Sequence, residues 1–210
     1  MVHITKKDLD KDNYYKNSGI NTTEEITCDE NLGYIKFKKS VITTKSIILG
    51  LSCGIKAGWE IEAGDEIEAG DEIEAGCGIK AGRGIEAGCG IKAGREIKAG
   101  REIEAGWEIE AGRGIKAGDG IKAGLSINCK GILKFSYQLF VGTCTWKETT
   151  DEDLIIECGK LETDGKIVLG NLKETGILSE EVERIKIIDG LKYRLIEDDK
   201  NVVSDGVKNE

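Results

Sequence analysis

The chain has 210 residues, with 39 acidic against 30 basic residues for a net charge of −9, together with 29 Gly, no Pro, a single His and 5% aromatic residues. So few aromatics exclude a bulky globular core, the acidic excess disfavours direct contact with nucleic acid, and no stretch approaches the ~18 apolar residues of a membrane span. Seven Cys without a CxxC pair, and a Met1 followed by polar residues, predict reduced thiols in a cytoplasmic protein.

Residues 1–34 read as a polar N-terminal segment. Thr5 is placed to cap a short helix through KKDLDKDNYY (6–15). Asp8, Asp10 and Asp12 copy the opening of a Ca²⁺ loop, but Asn13 stands where that loop needs Gly, and Gly19 where it needs Glu. A solvated acidic turn is the expectation.

A repeat then dominates, and the reading places a parallel β-solenoid over 35–146. Ile occupies thirteen consecutive positions at a spacing of six, from Ile55 to Ile127. Ala follows two places later from Ala57 to Ala123, and Gly follows Ala every time. Alternation of Ile, charge and Ala is the period-two pattern of a short strand with one buried face. Gly then supplies a corner, expected to exploit φ > 0. Val41 with Thr43, and Ile47 with Leu49, form earlier rungs shifted by two residues, which preserves the inward set. Leu133 with Phe135, and Leu139 with Val141, extend the register downstream.

Coil length follows from charge. The residues preceding each Ile read Glu60, Glu66, Glu72, then Gly78, Gly84, Gly90, then Glu96, Glu102, Glu108, then Gly114, Gly120, Ser126. Blocks of three alternate, so three hexads per coil keep these Glu from stacking on one another at the ~4.8 Å strand spacing. Two hexads per coil would stack Glu60 on Glu72. The expected coil is therefore three-faced and eighteen residues long. Residues 60–77 carry eight acids and no base, whereas 78–95 carry four bases against Glu86, so adjacent layers differ in sign.

After Trp146 the composition shifts, and residues 147–200 read as a small α/β appendage or cap. KETTDEDL (147–154) is a charged connector, LIIECGKL and KIVLGNL are strands around Thr163-Asp164-Gly165, SEEVERIKII (179–188) is a helix behind Ser179, and LKYRLIE (191–197) is a strand. Residues 201–210 are expected to be a disordered tail.

These hexads resemble the hexapeptide-repeat left-handed β-helix, although Ile and Ala exchange the large and small inward slots of that family. The chain is also similar to uncharacterised bacterial and phage-type proteins built from "IKAG/IEAG" hexads, through its KKDLDKDNYY-like start and its LSINCKGILKFSYQLFVGTCTW exit (125–146). The first resemblance implies a left-handed solenoid. It also brings to mind acyltransferases with a catalytic His and carbonic anhydrases with three zinc-binding His. His3 is the only His and lies outside the repeats, so neither chemistry is expected.

No phosphate-cradling GxxxxGK[ST], no GxSxG and no Cys spacing suited to a metal occurs. The reading is a non-enzymatic protein-binding solenoid without cofactor or metal. Its candidate surface is the acidic coil of Glu60, Glu62, Asp65, Glu66, Glu68, Asp71, Glu72 and Glu74, with Trp59 and Trp107 as anchors. The expected partner is a protein with a basic groove, such as a nucleic-acid-handling host enzyme occluded by a phage-type antagonist. The alternative is a self-assembling scaffold, a homo-oligomer through the solenoid or its appendage.

Overall fold

Each hexad folds into a short strand, three residues long in most coils, whose Ile and Ala turn inward while the charge between them meets water. In the computed structural model, which describes residues 1–176 and the backbone of strands Ile185–Ile188 and Leu191–Arg194, every repeat Ile from Ile55 to Ile127 is at most 1% exposed. The repeat Ala residues are buried with them in one continuous core.

Successive strands belong to three different parallel sheets, of nine, eight and eight strands. Ile61–Ala63 opens face 3, Ile67–Ala69 lies on face 1 and Ile73–Ala75 on face 2, after which Ile79–Ala81 returns to face 3. Ile61 pairs with Ile79, Ile67 with Ile85 and Ile73 with Ile91, so the coil is eighteen residues long, as the charge pattern predicts. Cys77 and Cys89 stand on separate corners, because the Cys77 amide donates to the Trp59 carbonyl and the Cys89 amide to that of Asp71.

The solenoid reaches well beyond 35–146. Val2–Ile4, Ile20–Thr22 and Ile26–Cys28 already belong to the sheets, in longer coils: Val2 pairs with Ile26, Ile26 with Ile47, and Ile47 with Ile67. Only one 3₁₀ turn, Lys6–Asp8, forms where a longer helix was expected. Asp8 supplies its capping box, accepting hydrogen bonds from the Thr5 amide at 2.8 Å and the Thr5 hydroxyl at 2.7 Å. The turn then ends at Leu9, whose buried side chain joins the core.

The C-terminal boundary moves as well. Ile155–Cys158, Lys160–Thr163, Lys166–Leu169 and Asn171–Glu174 are further rungs of the three faces rather than part of an α/β appendage. Asp164-Gly165 is therefore a coil corner and not a hairpin turn. The connector before these rungs is a loop, pinned where Asp153 accepts from Lys147 at 2.8 Å and from the Thr150 amide at 2.9 Å. Ile185–Ile188, expected to end a helix, instead pairs antiparallel with Leu191–Arg194. The rest of that expected helix, 179–184, and the tail 201–210 lie outside the described residues.

The corner glycines answer to a different constraint than the one expected. Among the described glycines, positive φ occurs at Gly33, Gly142, Gly170 and Gly176, none of them in the regular repeat. At Gly82 a Cβ would lie 2.0 Å from the Gly64 carbonyl oxygen, and at Gly100 it would lie 2.0 Å from that of Gly82. Close stacking of corner on corner, not left-handed backbone, is what demands Gly.

Candidate functional site

The eight acids of the coil 60–77 form a ring and not a patch. Glu60 and Glu62 lie on face 3, Asp65 and Glu66 turn the corner to face 1, Glu68 is central on face 1, Asp71 and Glu72 turn the corner to face 2, and Glu74 is central there. No single flat partner can touch them all. Several are engaged within the solenoid: Glu62 pairs with Lys80 at 2.8 Å, Glu74 with Lys56 at 2.6 Å, and Asp65 with Arg83. Glu72 accepts the Tyr34 hydroxyl at 2.8 Å. Such exposed pairs contribute ~0.2–1 kcal/mol each and mainly favour one stacking register.

The two Trp anchors are also separated. Trp59 is 62% exposed at the corner between faces 2 and 3. Trp107 stands at the corner between faces 1 and 2, its ring 5.3 Å from that of Trp146 in the connector loop. The connector therefore packs on Trp107, which remains 47% exposed, so Trp59 is the more open of the two.

What the fold assembles instead are three faces with different charge rules, read along the central residues of stacked strands. On face 2 Lys36 stacks on Lys56, and from there the signs alternate, Lys56, Glu74, Lys92, Glu110, so that neighbours neutralise each other: Lys92 also reaches Glu108 at 2.7 Å. Face 1 stacks Glu68, Glu86 and Glu104 before Lys122 ends the run. Face 3 begins with Glu62 and then stacks Lys80, Lys98, Lys116 and Lys134 before Glu162.

Same-sign neighbours on adjacent strands destabilise a sheet. The structure registers this at Glu86, whose carboxyl is raised above the usual range first by desolvation and then by Glu104 and Glu68. Among the described residues neither Glu68 nor Glu86 finds an ion-pair partner, and neither does Lys98 on face 3. Beside the Lys column, Arg95 and Arg113 line the corner, and together they border a groove of about 470 Å³ whose floor includes Gly78 and Gly114. Glu96 in that floor is neutralised by Lys116 at 2.8 Å. Summing charge by coil hides this segregation; stepping eighteen residues at a time reveals it.

Other chemistry is sparse. His3 holds Thr27 through Nδ1 and Asp29 through Nε2, both at 2.8 Å, at the first coil. Burial pushes the thiols of Cys28 and Cys129 up to about 12 and those of Cys89 and Cys158 up to about 11, so all four stay protonated and weakly nucleophilic near neutral pH. Among the described residues no group of three His, Cys, Asp or Glu is placed to hold a metal, and no helix is long and apolar enough to cross a membrane. Comparison with family models, with curated proteins and with solved structures gave no match.

Proposed function

We propose that the chain is a non-enzymatic binding solenoid that docks face 1 against a basic protein surface. The observation that carries this is the uninterrupted column Glu68–Glu86–Glu104, in which like charges stack although in the same coils the neighbouring face 2 alternates them from Lys56 to Glu110. Solubility alone is served equally well by alternation, which avoids the repulsion. A column that keeps its repulsion is suited to relieving it on an external cation, and a rigid row of carboxylates ~4.8 Å apart is preorganised for that. The partner surface that fits is a Lys/Arg-lined groove, of the kind nucleic-acid-handling proteins offer to phosphates. Occlusion of such a groove is how the phage-type antagonist activity would operate.

The test uses a lysine-rich peptide as probe, titrated into wild type and the triple variant Glu68→Gln, Glu86→Gln, Glu104→Gln at low and high salt. Wild-type binding should weaken as the Debye length falls from ~10 Å at 0.1 M to ~3 Å at 1 M, and the triple variant should bind poorly at both. Affinity that ignores both salt and substitution would reduce the column to a solubility device.

A further inference from the structure

A groove of the kind face 1 requires is present on this same chain, on face 3. Read upward along the stacked strands, the central residues of face 1 are Ile48, Glu68, Glu86, Glu104, Lys122 and Phe140. Those of face 3 are Ile42, Glu62, Lys80, Lys98, Lys116 and Lys134. Both columns advance one residue per coil, so they share one pitch, the ~4.8 Å spacing of stacked strands.

We infer that a second copy of this chain is the occupant: face 1 of one copy docks on face 3 of another with the solenoid axes opposed. In that direction Lys122 meets Glu62, Glu104 meets Lys80, Glu86 meets Lys98 and Glu68 meets Lys116, with Phe140 on Ile42. Each of the four charges of face 1 finds its opposite, while Lys134, the last of the face 3 run, lies against Ile48. Glu68, Glu86 and Lys98, which have no ion pair among the described residues of the single copy, are among those that gain partners. With axes parallel the four charges can also be matched, Glu68 on Lys98 through Lys122 on Glu162, but Phe140 and Ile42 then stay apart. The apolar pair selects the opposed arrangement.

Eight strands at ~4.8 Å give a face ~38 Å long and, at ~15 Å wide, a contact of ~1,100 Å² in total, the size of a weak and reversible interface. Because the contact joins two different faces, one copy of the dimer keeps its basic face free and the other its acidic face, and association continues past the dimer.

This inference rests on reading face 1 as a docking surface, and the experiment separates the two. Sedimentation velocity is run over a hundred-fold concentration range at low and high salt on wild type, on Arg95→Glu/Lys98→Glu and on the milder Arg95→Gln/Lys98→Gln, with circular dichroism to check folding. Wild type should rise to about twice the monomer mass or more at low salt and return to monomer at ~1 M salt. Both groove variants should stay monomeric yet still bind the lysine-rich peptide, whereas the face 1 triple variant should lose both properties. Zero-length carbodiimide coupling of wild-type dimers should yield a Glu86–Lys98 linkage, a pair set on different faces of one copy. Wild type that is monomeric throughout, groove variants that still associate, or a Glu68–Lys98 linkage in place of Glu86–Lys98 would each overturn the proposal. A monomer whose groove instead takes up heparin would assign face 3 to another polyanion.

Discussion

Replacing Gly100 by Ala should destabilise the protein, while replacing Gly90 by Ala should stabilise it, although both are repeat glycines ten residues apart. At Gly100 the new Cβ would sit 2.0 Å from the Gly82 carbonyl oxygen and 3.0 Å from its carbon. Even a weakly attractive carbon–oxygen contact needs ~3.3–3.6 Å, so the corner must open by more than ~1 Å. Opening it stretches two backbone bonds, Gly100 amide to Ala81 carbonyl at 3.2 Å and Arg101 amide to Arg83 carbonyl at 2.8 Å. Their loss costs ~0.5–1.5 kcal/mol each, and the residual strain of overpacking adds ~1–3 kcal/mol. Against this, Ala in place of Gly restricts the unfolded chain and returns ~0.4–1 kcal/mol. The net is a loss of ~1–6 kcal/mol, centred near ~3 kcal/mol, and the centre corresponds to roughly 6–12 °C in Tm for a chain of this size. At Gly90 the nearest atom to a Cβ is the Glu108 carbonyl oxygen at 3.5 Å, an ordinary contact, so only the entropic gain remains. Urea titrations compare the two variants, with hydrogen exchange at the Gly100 corner to separate local opening from global unfolding, since solenoids need not melt as one unit. If both variants unfold at the same denaturant concentration, corner stacking is not what these glycines serve.

Two further outcomes follow from the same geometry. Ile91, fully buried between Ile73 and Ile109, should cost ~2–5 kcal/mol as Ala, whereas Lys92→Ala should cost at most ~1 kcal/mol, because it removes only surface pairs with Glu108 and Glu110; thermal melts of equal shift would mean the inward assignment is wrong. Glu86→Gln should raise the melting temperature at neutral pH and lose that advantage in acid: a carboxyl raised in the folded state binds more protons there than when unfolded, so stability falls as pH rises from about 4.5 through the raised value, and below 4.5 both states are protonated and Gln matches Glu; a gain independent of pH would contradict the like-charge origin.

The regular coils were legible because one rule, Ile inward and Ala inward every six residues, repeats without interruption, and a block pattern of Glu and Gly fixes the coil length. The first coils were not, because their spacing drifts. Val2 to Ile26 and Ile26 to Ile47 span more residues than the repeat, with the 3₁₀ turn and the Asp10–Tyr14 loop bulging between rungs. At the other end the connector between Val141 and Ile155 breaks the period, so Ile127 pairs with Ile156, and the rungs beyond it lack the Ala-Gly mark. Corner glycines were read correctly as corners but for the wrong reason, since sequence shows where Gly recurs and not what lies above it. The acidic coil misled for a related cause. Eight acids adjacent in sequence look like a patch, yet a three-faced coil spreads any eighteen consecutive residues around its whole circumference.

Whether the charge columns are only a by-product of copying can be decided from the columns themselves. Duplication of a single coil would give every column one sign, and face 2 alternates. Duplication of a two-coil unit would make positions thirty-six residues apart identical, yet Glu62 and Lys98 differ, as do Glu86 and Lys122. The inward positions, by contrast, are nearly invariant from Ile55 to Ala123. The core therefore repeats while each outward column follows its own rule, and the core cannot be what sets the charges. On face 2 the rule neutralises neighbours and strengthens the stack. On faces 1 and 3 it opposes the stack, in runs of opposite sign, three Glu on one and four Lys on the other. A stabilising role accounts for the first column and fails for the other two, which is why contact with an external surface is the reading that fits them.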